Sequence, residues 1–242
     1  KNLYHNNRDG TFTDATYRAG LGDVGWLFTT FGAKFLDYDN DGWKDIILAN
    51  GQVFPQIDRY QTGITYAERN LLFHNRGGTE GGVKFDELGL DSGPGFAVKK
   101  VSRGLATADY DNDGDLEILV TNMNDSPDLI RHARKDPRHS ILVKTIGTRS
   151  NRDGIGAKVT VAAGGLTEYD EVRSGGSYLS SSDLRLHVGL GEARKIDRLE
   201  VRWPSGQTDL MTNLPADRIF VVKEGQGVVQ SEPFRKAPDV KK

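Results

Sequence analysis

Two stretches of the chain carry more carboxylates than a bare surface turn would tolerate: "DYDNDGWKDIILAN" at 37–50 and "DYDNDGDLEILVTN" at 109–122. Counted from its first aspartate, the first stretch places Asp37, Asp39, Asp41 and Asp45 at positions 1, 3, 5 and 9, with Gly42 at 6. The second places Asp109, Asp111, Asp113 and Glu117 at the same positions, with Gly114 at 6 and Asp115 at 7. Carboxylates this close repel one another unless something offsets their charge. Three chemistries are compatible with the pattern: a bound cation, a catalytic carboxylate pair, or a solvated acidic turn.

Calcium takes about six to eight oxygens in loose geometry. Odd positions ahead of a glycine bend let three side chains converge. The backbone carbonyl of position 7 (Trp43 or Asp115) can add a fourth ligand, and the acid at position 9 one or two more oxygens. Glycine suits position 6 because the sharp turn favours backbone angles that a Cβ penalises. An EF-hand opens the same way but needs a bidentate Glu at position 12 and flanking helices. Position 12 here is Leu48 or Val120, inside apolar runs that read as buried strands. Magnesium demands stricter octahedral geometry, and zinc prefers His or Cys ligands. A general acid–base pair needs two carboxylates in unlike environments beside a pocket, whereas acids converging on one point suit a cation. The expectation is two Ca²⁺ sites and no catalytic constellation.

Other candidates are weaker. The serine-rich "SGGSYLSSSD" could be imagined with His187 as a nucleophilic triad, yet it lacks a nucleophile elbow, and hydroxyls in such turns commonly satisfy backbone groups. His5 and His74 occupy equivalent positions of a repeat and read as packing residues. Asn151, Arg152, Asp153 and Gly154 read as a structural hairpin turn, and Trp203 as a core residue.

The elements that position the acids come from internal repetition. "NLYHNNRDGTFTD" at 2–14 resembles "NLLFHNRGG…VKFDE" at 70–87, and 31–50 matches 102–122. The acidic loops lie 72 residues apart, the excess over a usual blade period being taken up by an inserted loop at 51–70. Each unit reads strand, acidic loop, strand, connection, strand, turn, strand, the pattern of a propeller blade. Residues 2–16 form the outer half of one blade, 31–88 a complete one, and 103 to about 135 the start of another. So few blades cannot close a ring, which calls for an upstream segment or a further chain. The chain begins at Lys1 inside a repeat, with no initiator Met, as a processed or partial sequence would. The expected fold is all-β: partial propeller blades over 1–136, a small β-sandwich or barrel over 137–225, and a polar tail at 226–242.

Composition narrows the partners. Thirty-two Lys plus Arg against 34 Asp plus Glu give a net charge of -2 with no polybasic tract, which argues against nucleic acid. No apolar run approaches the roughly 18 residues of a membrane span. The absence of cysteine removes disulfides and thiol chemistry.

The loops and repeats resemble the calcium-binding FG-GAP or VCBS repeats of integrin-type propellers, with Glu117 departing from the usual Asp at position 9. "SNRDGIGAKVTV", "EVRSGGSYLSSSDLRLHVGLGEA" and "DRLEVRWPSGQTDLMTNLPADR" resemble the ASPIC/UnbV domain. With "NGQVFPQID" at 50–58, residues 2–225 are similar to the C-terminal part of cartilage acidic protein-like (CRTAC-type) proteins. That resemblance implies a seven-bladed propeller and a secreted, extracellular or periplasmic protein; the missing cysteines favour a bacterial member without the EGF-like module. The expected role is a calcium-rigidified interaction module for a protein or glycan partner. The alternatives are an architectural subunit, or a carbohydrate-active enzyme with its site on propeller loops such as 51–70.

Overall fold

A computed structural model describes residues 1–60, 62–79, 82–131 and 138–235, Thr79 by its backbone alone. Most of the expected domain boundary (132–137) and the end of the tail (236–242) lie outside the described residues.

Strands dominate. The hairpin β1 (Tyr4–Asn6) and β2 (Phe12–Asp14) is followed by a single helical turn, α1 (Gly22–Gly25). Next come β3 (Thr30–Leu36), β4 (Asp45–Asn50), β5 (Glu68–Arg69), β6 (Leu71–Thr79) and β7 (Gly82–Glu87). β8 (Lys99–Lys100), β9 (Ser102–Ala108), β10 (Glu117–Asn122) and β11 (Asp125–Ile130) complete the first half. β3-β4-β6-β7 is a four-stranded antiparallel sheet, and β11-β10-β9 a three-stranded one. β5 and β8 pair separately. Each acidic stretch is the link between the first two strands of its sheet, β3 to β4 and β9 to β10.

β4 is buried along its whole length, which explains its unbroken apolar run. Alternate side chains of a strand face opposite ways. Ile46 and Leu48 pack with Ala19, Leu21, Phe73 and Phe85, while Ile47 and Ala49 pack with Leu105, Ile118 and Val120 of the next sheet. The sheets therefore stack face to face, so closely that a Cβ on Gly32 would lie 2.7 Å from the Leu105 Cβ. β10 departs from the reading of "EILVTN" as a fully buried strand. Ile118 and Val120 face the core, but Leu119 is 42% exposed, because no sheet among the described residues covers its outer face.

The second half holds β12 (His139–Ile146), β13 (Lys158–Ala163), β14 (Leu166–Glu171), β15 (Leu186–Gly191), β16 (Lys195–Arg202), β17 (Thr208–Pro215), β18 (Arg218–Lys223) and β19 (Gly227–Pro233). They form two four-stranded sheets, β15-β12-β18-β19 and β14-β13-β16-β17. Between them lies one core of Ile141, Val143, Val159, Val161, Val188, Leu199, Val201, Trp203 and Phe220. This is the expected sandwich, and Trp203 sits in it, its Nε1 donating to Asp209 Oδ2 at 2.7 Å. Two features differ from the sequence reading. β12 and β18 run parallel, and residues 227–233 of the expected tail pair with β18 and set Val228 against the core.

The turn at 148–153 is tied down by buried Glu224. Its Oε2 accepts the backbone N–H of Thr148, Arg149 and Ser150 at 2.7, 2.8 and 2.8 Å. Its Oε1 accepts the hydroxyls of Ser150 and Ser205. Burial alone would raise this carboxyl, but those five donors outweigh it and hold the group far below the usual carboxylate range. Among the described residues, no helix is long and apolar enough to cross a membrane.

Candidate metal centres

The two acidic loops adopt one geometry twice. Asp37 accepts the N–H of Asp41 (3.1 Å) and Gly42 (2.8 Å), and Asp109 those of Asp113 (3.1 Å) and Gly114 (2.9 Å). The N–H of Tyr38 donates to Asp45 at 3.1 Å, and that of Tyr110 to Glu117 at 3.2 Å. Asn40 and Asn112 take φ of 60° and 62°, Gly42 and Gly114 88° and 93°. The bends thus need left-handed backbone at positions 4 and 6, where asparagine and glycine are the best-tolerated residues.

Positions 1, 3 and 9 converge in both loops. Within each of the sets Asp37, Asp39, Asp45 and Asp109, Asp111, Glu117, one oxygen per residue lies within 4.8 Å of the others. The acids at position 5 are turned differently: Asp41 and Asp113 accept the backbone N–H of Trp43 (2.8 Å) and Asp115 (3.0 Å). Asp41 falls into a second group with Asp39 and His74. The side chain of Asp115 faces the other loop, accepting from Asn40 Nδ2 at 2.9 Å.

Burial is the leading cause of every carboxyl shift here. It pushes Asp37 well above the usual range, helped by the charges of Glu168, Asp41 and Asp45 and opposed by the Gly42 N–H. Asp45 and Asp109 are raised as well. Burial, then the Asp39 charge, lifts Asp41 to about 6. Burial lifts Glu117 to about 7, with the charges of Asp111, Asp113 and Asp109 acting the same way. These groups hold their negative charge at a cost that a nearby cation would remove. The donors are all oxygens, and Asp111 Oδ1 is buried without a hydrogen-bond partner. The residues therefore fit a hard divalent ion.

Several participants escaped the sequence reading. His74 lies with Nδ1 3.2 Å from Asp45 Oδ1, and that hydrogen-bonding carboxylate raises its pKa. Arg138 approaches Asp39 Oδ2 at 2.6 Å, and Arg131 pairs with Asp111 and stands 3.6 Å from Glu117. The available signal was charge excess: at least four acids packed into each short loop need cations, and "RHARKDPRHS" is where arginines cluster. Among the described residues, the hydroxyls of the serine-rich turn bond to strands rather than to the acidic loops. Ser180 and Ser182 Oγ accept the N–H of Leu105 (2.9 Å) and Thr107 (3.1 Å) on β9, and Ser177 Oγ that of Ala33 on β3 (3.2 Å). In the 51–70 loop, Phe54 and Tyr60 are exposed and stack at 6.3 Å.

Comparison with known proteins bears on the C-terminal half first: residues 147–229 match the family model "ASPIC and UnbV". Cartilage acidic protein 1 of Homo sapiens is 31% identical over 121 residues, 50% of this chain and 15% of that protein. Its counterpart in Xenopus tropicalis is 26% identical over 125 residues, 50% of this chain and 16% of that protein. The matched stretch thus spans less than a fifth of these relatives. A solved structure from Bacteroides ovatus aligns over 96% of this chain and 95% of its own at 13% identity, with a TM-score of 0.23 too low to bear on the fold. Residues 147–229, the bulk of the sandwich, thus match the ASPIC and UnbV family model, on a chain similar over half its length to cartilage acidic protein 1.

Proposed function

We propose that the two acidic loops bind calcium and that the protein is an extracellular or periplasmic interaction module whose stacked sheets the ion stiffens. One observation carries this: two loops 72 residues apart share the same converging acids and the same backbone hydrogen bonds, with burial raising the proton affinity of members of each set. Asp37, Asp39 and Asp45 hold one ion, and Asp109, Asp111 and Glu117 the other, with Asp41, Asp113 and the carbonyls of Trp43 and Asp115 as the remaining candidate oxygens. The ion links the first two strands of each sheet, so its binding free energy adds to folding free energy.

In this reading the sheets are FG-GAP or VCBS-like blades. Exposed Leu119 and Leu129 on one face, and Tyr4 and Phe12 on the N-terminal hairpin, fit packing against further blades from the same or another chain. Similarity to cartilage acidic protein 1 supports the extracellular assignment. The partner is a protein or glycan, and the protein is not an enzyme.

A second reading has its own observation. Arg138 and Arg131 already pair with the position 3 acids, so the loops could be arginine-latched turns that need no metal. Isothermal titration of the chelator-treated chain with calcium and then magnesium separates the two. Saturable calcium heat with a stoichiometry of two supports the metal reading, and its absence leaves the arginine latch.

A further inference from the structure

We infer that the acidic loops are also the seat on which the C-terminal sandwich docks, so that calcium occupancy and docking are coupled. The inference rests on the calcium reading above. Five backbone carbonyls of the two loops are read by the second half of the chain. Asn40 O accepts from Gly191 N (2.9 Å), Asp109 O from Arg185 Nη2 (2.6 Å), and Asn112 O from Arg235 N (2.7 Å). Gly114 O accepts from Ser140 Oγ (2.7 Å) and lies 3.1 Å from His187 Nε2. Asp39 O accepts from Arg138 Nη1 at 3.2 Å.

Shape agrees with the hydrogen bonds. A Cβ on Gly42 would stand 2.6 Å from Leu166 Cδ1, and one on Gly114 2.6 Å from Phe234 Cδ2. A Cβ on Gly189 would run into Asp37 Oδ2. The bend glycines thus answer two demands at once: a left-handed backbone and the close approach of another domain. Asn40, fully buried, ties the loops together by donating to Asp115 Oδ1 and, at 3.3 Å, to Gly114 O. Lys44 adds ion pairs to Glu168 and Asp170 of β14, both at 3.3 Å.

These carbonyls keep their positions only while the carboxylates inside the bends stay converged. An ion within the bend enforces that convergence; unshielded like charges oppose it. Docking has a second foothold that touches none of the bend acids, the seryl hydroxyls bonded to β9 together with Asp183 N donating to Thr107 O at 3.0 Å. Coupling is reciprocal: the factor by which calcium favours docking is the factor by which docking favours calcium.

The test uses the full chain. Hydrogen exchange of the Gly191 and Asp183 amides, whose acceptors lie on the first half, is followed in calcium and in EDTA, with Val161 and Leu199 as amides internal to the sandwich. Coupling slows Gly191 and Asp183 in calcium on the order of tenfold and leaves Val161 and Leu199 unchanged. Once fast Gly191 and Asp183 exchange shows that the Ser180→Ala, Ser182→Ala double variant has released its sandwich, that variant loses calcium affinity by a similar factor in titration calorimetry, with the Val161 and Leu199 amides reporting that the sandwich is folded. Calcium heat in the wild type with Gly191 and Asp183 exchange indifferent to calcium overturns the coupling and spares the metal reading. No calcium heat in the wild type overturns both.

Discussion

Replacing Asp109 by Asn separates what the ion contributes from what the loop contributes. Asp109 is fully buried and accepts the N–H groups of Asp113 and Gly114. Asn keeps one acceptor oxygen and turns an amide N–H toward the other donor, losing one charge-assisted bond of about 1.5–3 kcal/mol. Part of that returns, because burial already holds the Asp109 charge at a cost. Both effects are present with or without calcium, so they cancel when the wild-type-to-variant difference in EDTA is subtracted from that in calcium. What survives is the ion's own contribution, about 2.7 kcal/mol per site when free calcium is about 100 times Kd. Extracellular modules bind with Kd of about 0.1–1 mM, so about 10 mM calcium reaches that ratio at the tighter end. In a chain of 242 residues, 1 kcal/mol moves Tm by about 2–4 °C, so D109N should lose about 5–11 °C of the calcium-induced rise. D37N should lose a similar share and the double variant nearly all of it. Scanning calorimetry of the four proteins in calcium and in EDTA decides. Equal calcium-induced rises in all four would refute the reasoning, as would a wild-type Tm indifferent to EDTA.

Three further outcomes follow from the same geometry. Glu224→Gln removes a carboxyl whose folded pKa lies below its unfolded value, so the stability it supplies is present above about pH 4.5 and is lost as pH falls through the folded value. The variant should be about 2–3 kcal/mol less stable at neutral pH and should lose the acid limb of a urea-midpoint-versus-pH curve. Trp203→Phe leaves buried Asp209 with Gly225 N–H (2.8 Å) in place of two donors, costing about 1–3 kcal/mol in denaturant unfolding. Gly32→Val forces side-chain atoms against Leu105 and Ala49 and should cost about 1–3 kcal/mol by overpacking, read as a lower thermal midpoint in calcium and EDTA alike.

Much of the fold was legible because local rules and burial agree. The four-strand unit over 31–88 could be read from apolar runs broken by glycine turns, and it is observed as β3-β4-β6-β7. The sandwich could be read from alternation such as "AKVTVAA", whose valines all face inward. What escaped was non-local. Nothing in "HSILVKTI" or "RIFVVK" announces that these strands pair in parallel, since a parallel pairing is fixed by the path of the chain between them rather than by either strand. Residues 227–233 looked like a tail because Gly and polar residues dominate them, yet an edge strand needs only a backbone partner and one apolar anchor, which β18 and Val228 supply. "DIILAN" and "EILVTN" both read as apolar strands, but only the first is covered on both faces, because burial belongs to the neighbours of a strand and not to its letters.

The acidic loops were legible for a different reason: chemistry at fixed spacing survives any uncertainty about packing. The acids at positions 1, 3 and 9 do converge, twice. The spacing did not reveal that position 5 spends its side chain on a backbone N–H, nor that Arg131, Arg138 and His74 stand at the rim, because those partners arrive from other strands and loops. The glycine at position 6 shows the limit most plainly. Turn geometry alone accounts for it in sequence, yet in space the same missing Cβ admits Leu166 at one bend and Phe234 at the other. A substitution there would test the turn and the docking surface together. That is why the coupling between ion and sandwich has to be probed through Ser180 and Ser182, which hold the sandwich on β9 and leave the bends untouched.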